Sequence, residues 1–315
     1  MLARYIGWRL LSALPVLLIV SVLVFSLIHL VPGDPAAVMA GDSASAEQVE
    51  AVRKELHLDQ PLPVQFIHWY EDLLRGNLGK SISLQQSVVA AIGDHLPITA
   101  ALALYGMLLS VPLGLLAGAA AAYWRGTWID NLVMVTALLG VSIPNFWLGL
   151  LMIILFAVHL GWLPAGQYVS PFDSITGWIA SLTLPALCLT AFQISFLVRI
   201  TRSSMLEVLN QDYIRTARAK GLTELRVVLK HAMRNVMIPV VTVIGLMLNV
   251  MISGAVIVEQ AFTLPGLGTL VVNGVLSRDY PLIQGTLLVI AIIFLLLNLL
   301  VDILYSYLDP RVTNV

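Results

Sequence analysis

Apolar residues arrive in six long runs, at 9–31, 97–123, 131–160, 178–198, 236–258 and 282–305, with polar stretches between them. Each is long enough to cross a bilayer, which takes about 20 apolar residues, and a helix is the form in which one segment satisfies its own backbone there. The pattern predicts six transmembrane helices in three hairpins. Between the first two runs the period changes. After Ser45, the residues Val49, Val52 and Leu56 share one stripe, and after Pro63 so do Phe66, Ile67, Tyr70 and Leu74, which predicts two amphipathic helices over 47–56 and 63–74. The chain therefore divides into an N-terminus and first span at 1–31, a small helical insertion at 32–95, and a core of five spans at 96–315. It shows no repeat, low-complexity tract or heptad array.

The polar stretch 199–235 contains one further helical segment. Asp212 stands at its start, good helix formers run through Lys220, and Gly221 stops it before Leu222. Tyr213, Ala217 and Gly221 fall four apart and make a narrow face able to enter a groove, while Arg215, Arg218 and Lys220 point elsewhere. A basic loop that only fixes orientation and touches anionic lipid is the other reading of this segment.

Composition agrees with the pattern. A hydrophobic fraction of 59%, a charged fraction of 11% and a mean hydropathy of +0.91 exclude a soluble domain, in which about a quarter of residues are charged. The class is an all-α integral membrane protein. Its net charge of −1 hides an asymmetry. Residues 199–234 hold Arg199, Arg202, Arg215, Arg218, Lys220, Arg226, Lys230 and Arg234 against Glu207, Asp212 and Glu224, which places them in the cytoplasm. Arg4, Arg9, Arg125 and Arg311 fall on the same side, so both termini are expected inside, and the acidic insertion outside. The first run exceeds the roughly 7–15 residues of a signal h-region and leads into Pro-Gly-Asp-Pro, so it reads as a retained span. A lone Cys188 allows no internal disulfide.

A carrier driven by an ion gradient usually keeps ionisable groups inside the membrane. Here Arg9, Asp130, Glu259, Asp302, His29 and His159 all lie near run ends, where snorkelling or capping accounts for them. Polarity within the runs is neutral: Ser142, Asn145, Gln193, Ser195, Asn249, Ser253 and Asn298. Such groups line a path for a polar solute or serve as interhelical glue. Pro112, Pro144 and Pro185 predict kinks, and Asn145 beside Pro144 is the foremost pathway candidate, with Ser142, Gln193 and Asn249 behind it. Gly114 and Gly118 have the spacing of close helix packing. Gly79-Lys80-Ser81 mimics a phosphate loop, but Leu74 stands where the earlier Gly belongs. Gly140-Val-Ser142 hints at a serine hydrolase, yet no following Gly or intramembrane His base completes it. The six His are scattered, so no catalytic or metal site is expected.

The 212–222 segment, followed by Ile238-Pro239, resembles the "EAA" loop of ABC importer permeases. Ala217, Gly221 and Pro239 match that pattern, whereas Thr216-Ala217-Arg218 departs from its Glu-Ala-Ala triplet. Val31-Pro-Gly-Asp-Pro35, Leu58-Asp-Gln-Pro-Leu62, Gly76-Asn-Leu-Gly79, Ser142-Ile-Pro-Asn145, Arg278-Asp-Tyr-Pro281, Val301-Asp302 and Leu308-Asp-Pro-Arg311 look like the dipeptide, oligopeptide and nickel permease subfamily, in its first-subunit type. The resemblance runs from end to end. It implies a type I ABC importer permease in a bacterial inner membrane, paired with a second homologous permease. Two cytoplasmic ATPases would carry ATP and Mg, an extracytoplasmic binding protein would deliver the solute, and neither a cofactor in this chain nor a nucleic-acid partner is implied. Residues 206–222 would dock in a groove of one ATPase, through Asp212, Tyr213, Arg215, Ala217, Lys220, Gly221 and Leu222. The solute would be a dipeptide or oligopeptide, or alternatively nickel, another metal chelate or a glutathione-like peptide. A gradient-driven carrier and an intramembrane hydrolase are the readings from other classes.

Overall fold

A computed structural model describes residues 2–30, 34–41, 44–55 and 57–308, and among them every regular element is a helix. The expectations for Val31, Pro32, Gly33, Leu56 and Arg311 lie outside the described residues, as do those for the side chains of Arg4, His29 and Asp302. Among the described residues five helices are long and apolar enough to cross a membrane: α1 (Leu2–Leu30), α5 (Val88–Tyr123), α8 (Ile175–Leu209), the continuous Glu224–Ala261 and α13 (Tyr280–Leu308). The third predicted span is not one rod. It is α6 (Trp128–Ser142) and α7 (Asn145–Met152), the latter prolonged by a π-helical turn Ile153–His159, and the chain bends by 109° between the two. Pro144 thus does more than kink. Extended Ile143 (ψ 124°) and Pro144 (ψ 134°) interrupt the hydrogen-bond ladder, so the chain restarts in a new direction.

The chain folds as two units, Met1–Ile98 with Pro265–Leu299, and Thr99–Leu264 with Leu300–Val315. In the first, the insertion forms α2 (Pro35–Ala40), α3 (Ala46–Glu55) and α4 (Leu62–Leu74). Ser45 and Gln48 close a reciprocal capping box at the start of α3. On α4, Phe66 meets Phe25 of α1 edge-on at 5.3 Å. Tyr70 stays with it, half-buried and 5.6 Å from the Phe66 ring, whereas Ile67 and Leu74 are exposed and Gln65 is buried in their stead. An apolar helix that the run pattern did not predict, α12 (Leu267–Leu276), packs Leu267 and Leu270 with Val88, Ala91 and Ile92 of α5 and Leu282 of α13.

Ser81 of the phosphate-loop mimic proves to be part of a clamp. One oxygen of the buried Asp279 accepts hydrogen bonds from the hydroxyls of Ser81 (2.7 Å) and Ser83 (2.8 Å) and from the amides of Ile82 and Ser83 (2.9 Å each). Four charge-assisted bonds fix the loop after Gly79 onto the start of α13.

In the second unit α8 is the central element, with 67% of its apolar window buried. Gly106, Ser110, Gly114 and Gly118 make a stripe of small residues along α5. A Cβ on Gly114 would come 2.7 Å from Leu197, and one on Gly118 2.6 Å from Thr201, so the predicted small-residue spacing brings α5 onto α8 at backbone distance.

Candidate coupling helix and membrane pathway

The 212–222 segment folds as a short helix, α9 (Asp212–Ala219). It ends in a Schellman motif, with Gly221 donating to the carbonyl of Arg218 at 2.9 Å and Leu222 to that of Ala217 at 3.4 Å. Gly221 sits at φ +76°, a left-handed conformation that favours glycine, with no atom within 4 Å of where a Cβ would be. Ile214 and Ala217 are buried against Met205 of α8 and against Val227, Val228 and Ala232 of the π-helical turn Val227–Ala232, between α10 (Glu224–Arg226) and α11 (Met233–Ala261). Leu222 packs on the same cluster.

Of the face expected to enter a groove, Ala217 therefore points inward and serves as an anchor. Tyr213 and Gly221 are exposed, together with Asp212, Arg215, Thr216 and Lys220. Ile214 was the missed residue. Its signal is the apolar spacing from Ile214 to Ala217, one turn apart on a helix with few other apolar positions. Two polar contacts brace the helix from the side. Asn235 donates to the Tyr213 hydroxyl at 2.6 Å, and the Arg218 guanidinium reaches both Glu224 oxygens, at 3.2 and 3.1 Å from Nε. That carboxylate raises the Arg218 pKa, chiefly through the hydrogen bond. The exposed face thus carries charge and a ring, while its inner face is seated in the core.

Beneath α9, Arg202 of α8 grips the buried Asp130 near the start of α6 in a fork, with Nε to Oδ1 at 2.7 Å and a second nitrogen to Oδ2 at 2.8 Å. The amide of Gly126 completes the carboxylate at 3.0 Å. Asp130 is not snorkelling, and neither is Glu259, which is fully buried and accepts the Thr99 hydroxyl at 2.6 Å. Gly140 of α6 lies against Ser195 of α8 with no room for a Cβ. These contacts hold α6 along α8 from its first turn to the break.

At the break, Pro144 caps α7, Ser142 is exposed and returns its hydroxyl to Leu138, and the carbonyl of half-buried Asn145 accepts the Cys188 thiol at 3.0 Å. The structure therefore joins Asn145 to the middle of α8, five residues before Gln193 in sequence. Gln193 is buried, and its Oε1 has no hydrogen-bond partner among the described residues. Asn249 is half-buried on α11, two residues before Met251, which meets the α5 stripe at Gly106. The break thus combines an interrupted helix with one neutral amide, Asn145, whereas no hydrogen bond joins Gln193 to it among the described residues and Asn249 lies on α11.

Two family profiles cover the chain: the binding-protein-dependent transport system inner membrane component over residues 110–314, and the N-terminal component of the same systems over residues 1–103. A protein of Brucella melitensis named as a peptide transport system permease is 51% identical over 99% of both chains. The glutathione transport system permease protein GsiC of Salmonella typhimurium is 45% identical over 98% of both. Among solved structures, a chain of the MetNI methionine ABC transporter in an inward-facing conformation matches with a TM-score of 0.54 and 18% identity, covering 70% of this chain and 96% of that one, which shows a shared fold.

Proposed function

The chain belongs to the binding-protein-dependent transport system inner membrane components, a permease subunit of an ABC importer without a nucleotide site of its own, and from this premise we propose that it imports short peptides. End-to-end identity to permeases named for peptide and for glutathione transport carries the substrate. Glutathione is itself a tripeptide, so both names point to solutes with amide bonds and charged ends. Neutral amides such as Asn145 and Gln193 can donate and accept hydrogen bonds to such a solute without an ion pair that would hold it.

The exposed face of α9 is the docking surface for one of two ATPases, which hold ATP and Mg, and a second, homologous permease completes the translocation pair. A push on α9 passes through Ile214 and Ala217 to α8. From there Arg202 and Asp130 carry it to α6, and so to the break at Ile143–Pro144. The basic stretch 199–235 places α9 in the cytoplasm and both termini with it. The acidic insertion faces the extracytoplasmic binding protein, in a bacterial inner membrane.

Reconstitution with the two ATPases, the partner permease and the binding protein in proteoliposomes tests the reading. Labelled dipeptide or glutathione should accumulate only with ATP, and Asn145→Leu should lower uptake while the complex still assembles. Uptake driven by a proton gradient without ATP would make the protein a secondary carrier, and uptake of a nickel chelate in place of any peptide would overturn the substrate.

A further inference from the structure

A cleft of about 150 Å³ lies within the first unit, bounded by α1, α4, the loop after α4 and the start of α13. Two of its lining residues, Gln65 and Gln284, are only 7% and 8% exposed. Gln65 directs its amide nitrogen to the carbonyls of Gln60 at 2.7 Å and Leu58 at 3.4 Å, and Gln284 directs its own to those of Val24 and Phe25, both at 3.3 Å. A backbone carbonyl only accepts, so the nitrogen end of each side chain is fixed and the oxygen end is left over. Neither oxygen has a donor among the described residues.

Asp72 also lines the cleft, half-buried, and its carboxylate makes no ion pair or hydrogen bond among the described residues. Among the described residues no Lys or Arg shares the lining. Phe25 and Trp69 stand with ring centroids 5.8 Å apart, and such ring faces attract a cation. His57 and His68 are stacked on each other at 4.6 Å in the same wall. Unspent acceptor oxygens, an unpaired carboxylate and aromatic walls are complementary to a cationic donor. The volume corresponds to about five waters at about 30 Å³ each, which fits a head group and a few carbons.

We propose that this cleft binds a primary ammonium group on a short apolar stem. Asp72 is the counter-ion, the oxygens of Gln65 and Gln284 accept its hydrogens, and Trp69 and Phe25 enclose the stem. The inference goes beyond the transport reading and does not depend on it, because any free amine or peptide N-terminus presents the same group.

Calorimetric titration of the full-length chain in nanodiscs with n-butylammonium chloride tests it, with n-butanol as the uncharged control. Butylammonium should bind saturably and butanol should not, and Asp72→Asn should weaken binding by about tenfold or more, the loss of a charge-assisted hydrogen bond. Competition by alanyl-alanine but not by its N-acetyl form identifies a peptide N-terminus as the natural source. Competition by neither identifies a free amine, and either result sustains the ammonium site. Equal binding of butylammonium and butanol, unchanged binding in Asp72→Asn, or no saturable binding at all, as for a cleft that holds only water, overturns the proposal. The comparison of the two ligands uses the natural chain, so it decides the matter even if the variant does not fold.

Discussion

Gly221 separates two meanings that a loop glycine can have. Its φ of +76° needs a residue tolerant of the left-handed region, whereas the open space around it meets no steric demand from the described residues. Alanine there costs about 1 kcal/mol in local conformation, and asparagine less, because its side chain accepts that region. If the glycine only terminates α9, Gly221→Asn should keep most of the uptake and Gly221→Val should lose it. If an ATPase approaches this backbone closely, Asn should fail as badly as Val. Uptake and ATPase co-purification measured across Asn, Ala, Val and Asp therefore distinguish a cap from a contact, and a Val variant with full uptake would remove Gly221 from the coupling surface. The sequence showed this glycine as a stop signal, but it could not show that Ala217 faces the core. That depends on Val227 and Val228, which come round from the far side of the turn.

At the scale of elements, the long helices were legible because each apolar run matches a bilayer thickness. The bend at Pro144 was legible only as a kink. Proline predicts a lost hydrogen bond, and the reach of the new direction is fixed by packing, here by Gly149 against Cys188 and Phe262. α12 escaped because its ten residues are too few for a span. The Gly114–Gly118 spacing was visible without its partners, Leu197 and Thr201 on α8.

The Asp130–Arg202 fork was the least legible, since its two ends are 72 positions apart and each looked like a charge near a membrane surface. Removing one end of a buried pair strands the other and destabilises by about 3 kcal/mol, so Asp130→Ala should markedly lower the melting temperature of the purified complex. Arg202→Lys keeps the charge and loses the fork. It should preserve assembly while reducing the solute moved per ATP hydrolysed. A ratio equal to that of the natural chain would show that the fork holds α6 in place without relaying motion from α9.

Over the whole molecule, family motifs and charge distribution were legible for different reasons. Arg278-Asp-Tyr-Pro281 stood out as a pattern, and the structure adds what its Asp279 does here: it gathers the loop at Ser81–Ser83, a contact 198 positions away that no periodicity reveals. Sidedness rests on charge alone. Residues 199–234 are rich in Arg and Lys, and the insertion carries Asp34, Asp42, Glu47, Glu50, Glu55, Asp59, Glu71, Asp72 and Asp94 against Arg53, Lys54, Arg75 and Lys80. Positive charge is retained on the cytoplasmic side, and acidic residues contribute little to orientation, so the basic stretch decides and the insertion follows from the span between. A phosphatase reporter fused after Gly76 should be active outside, and a fluorescent reporter fused after Glu224 should fold and fluoresce inside. Reversed labelling would put α9 beyond the reach of any cytoplasmic ATPase and end the coupling assignment, while leaving the helical fold of each unit as described.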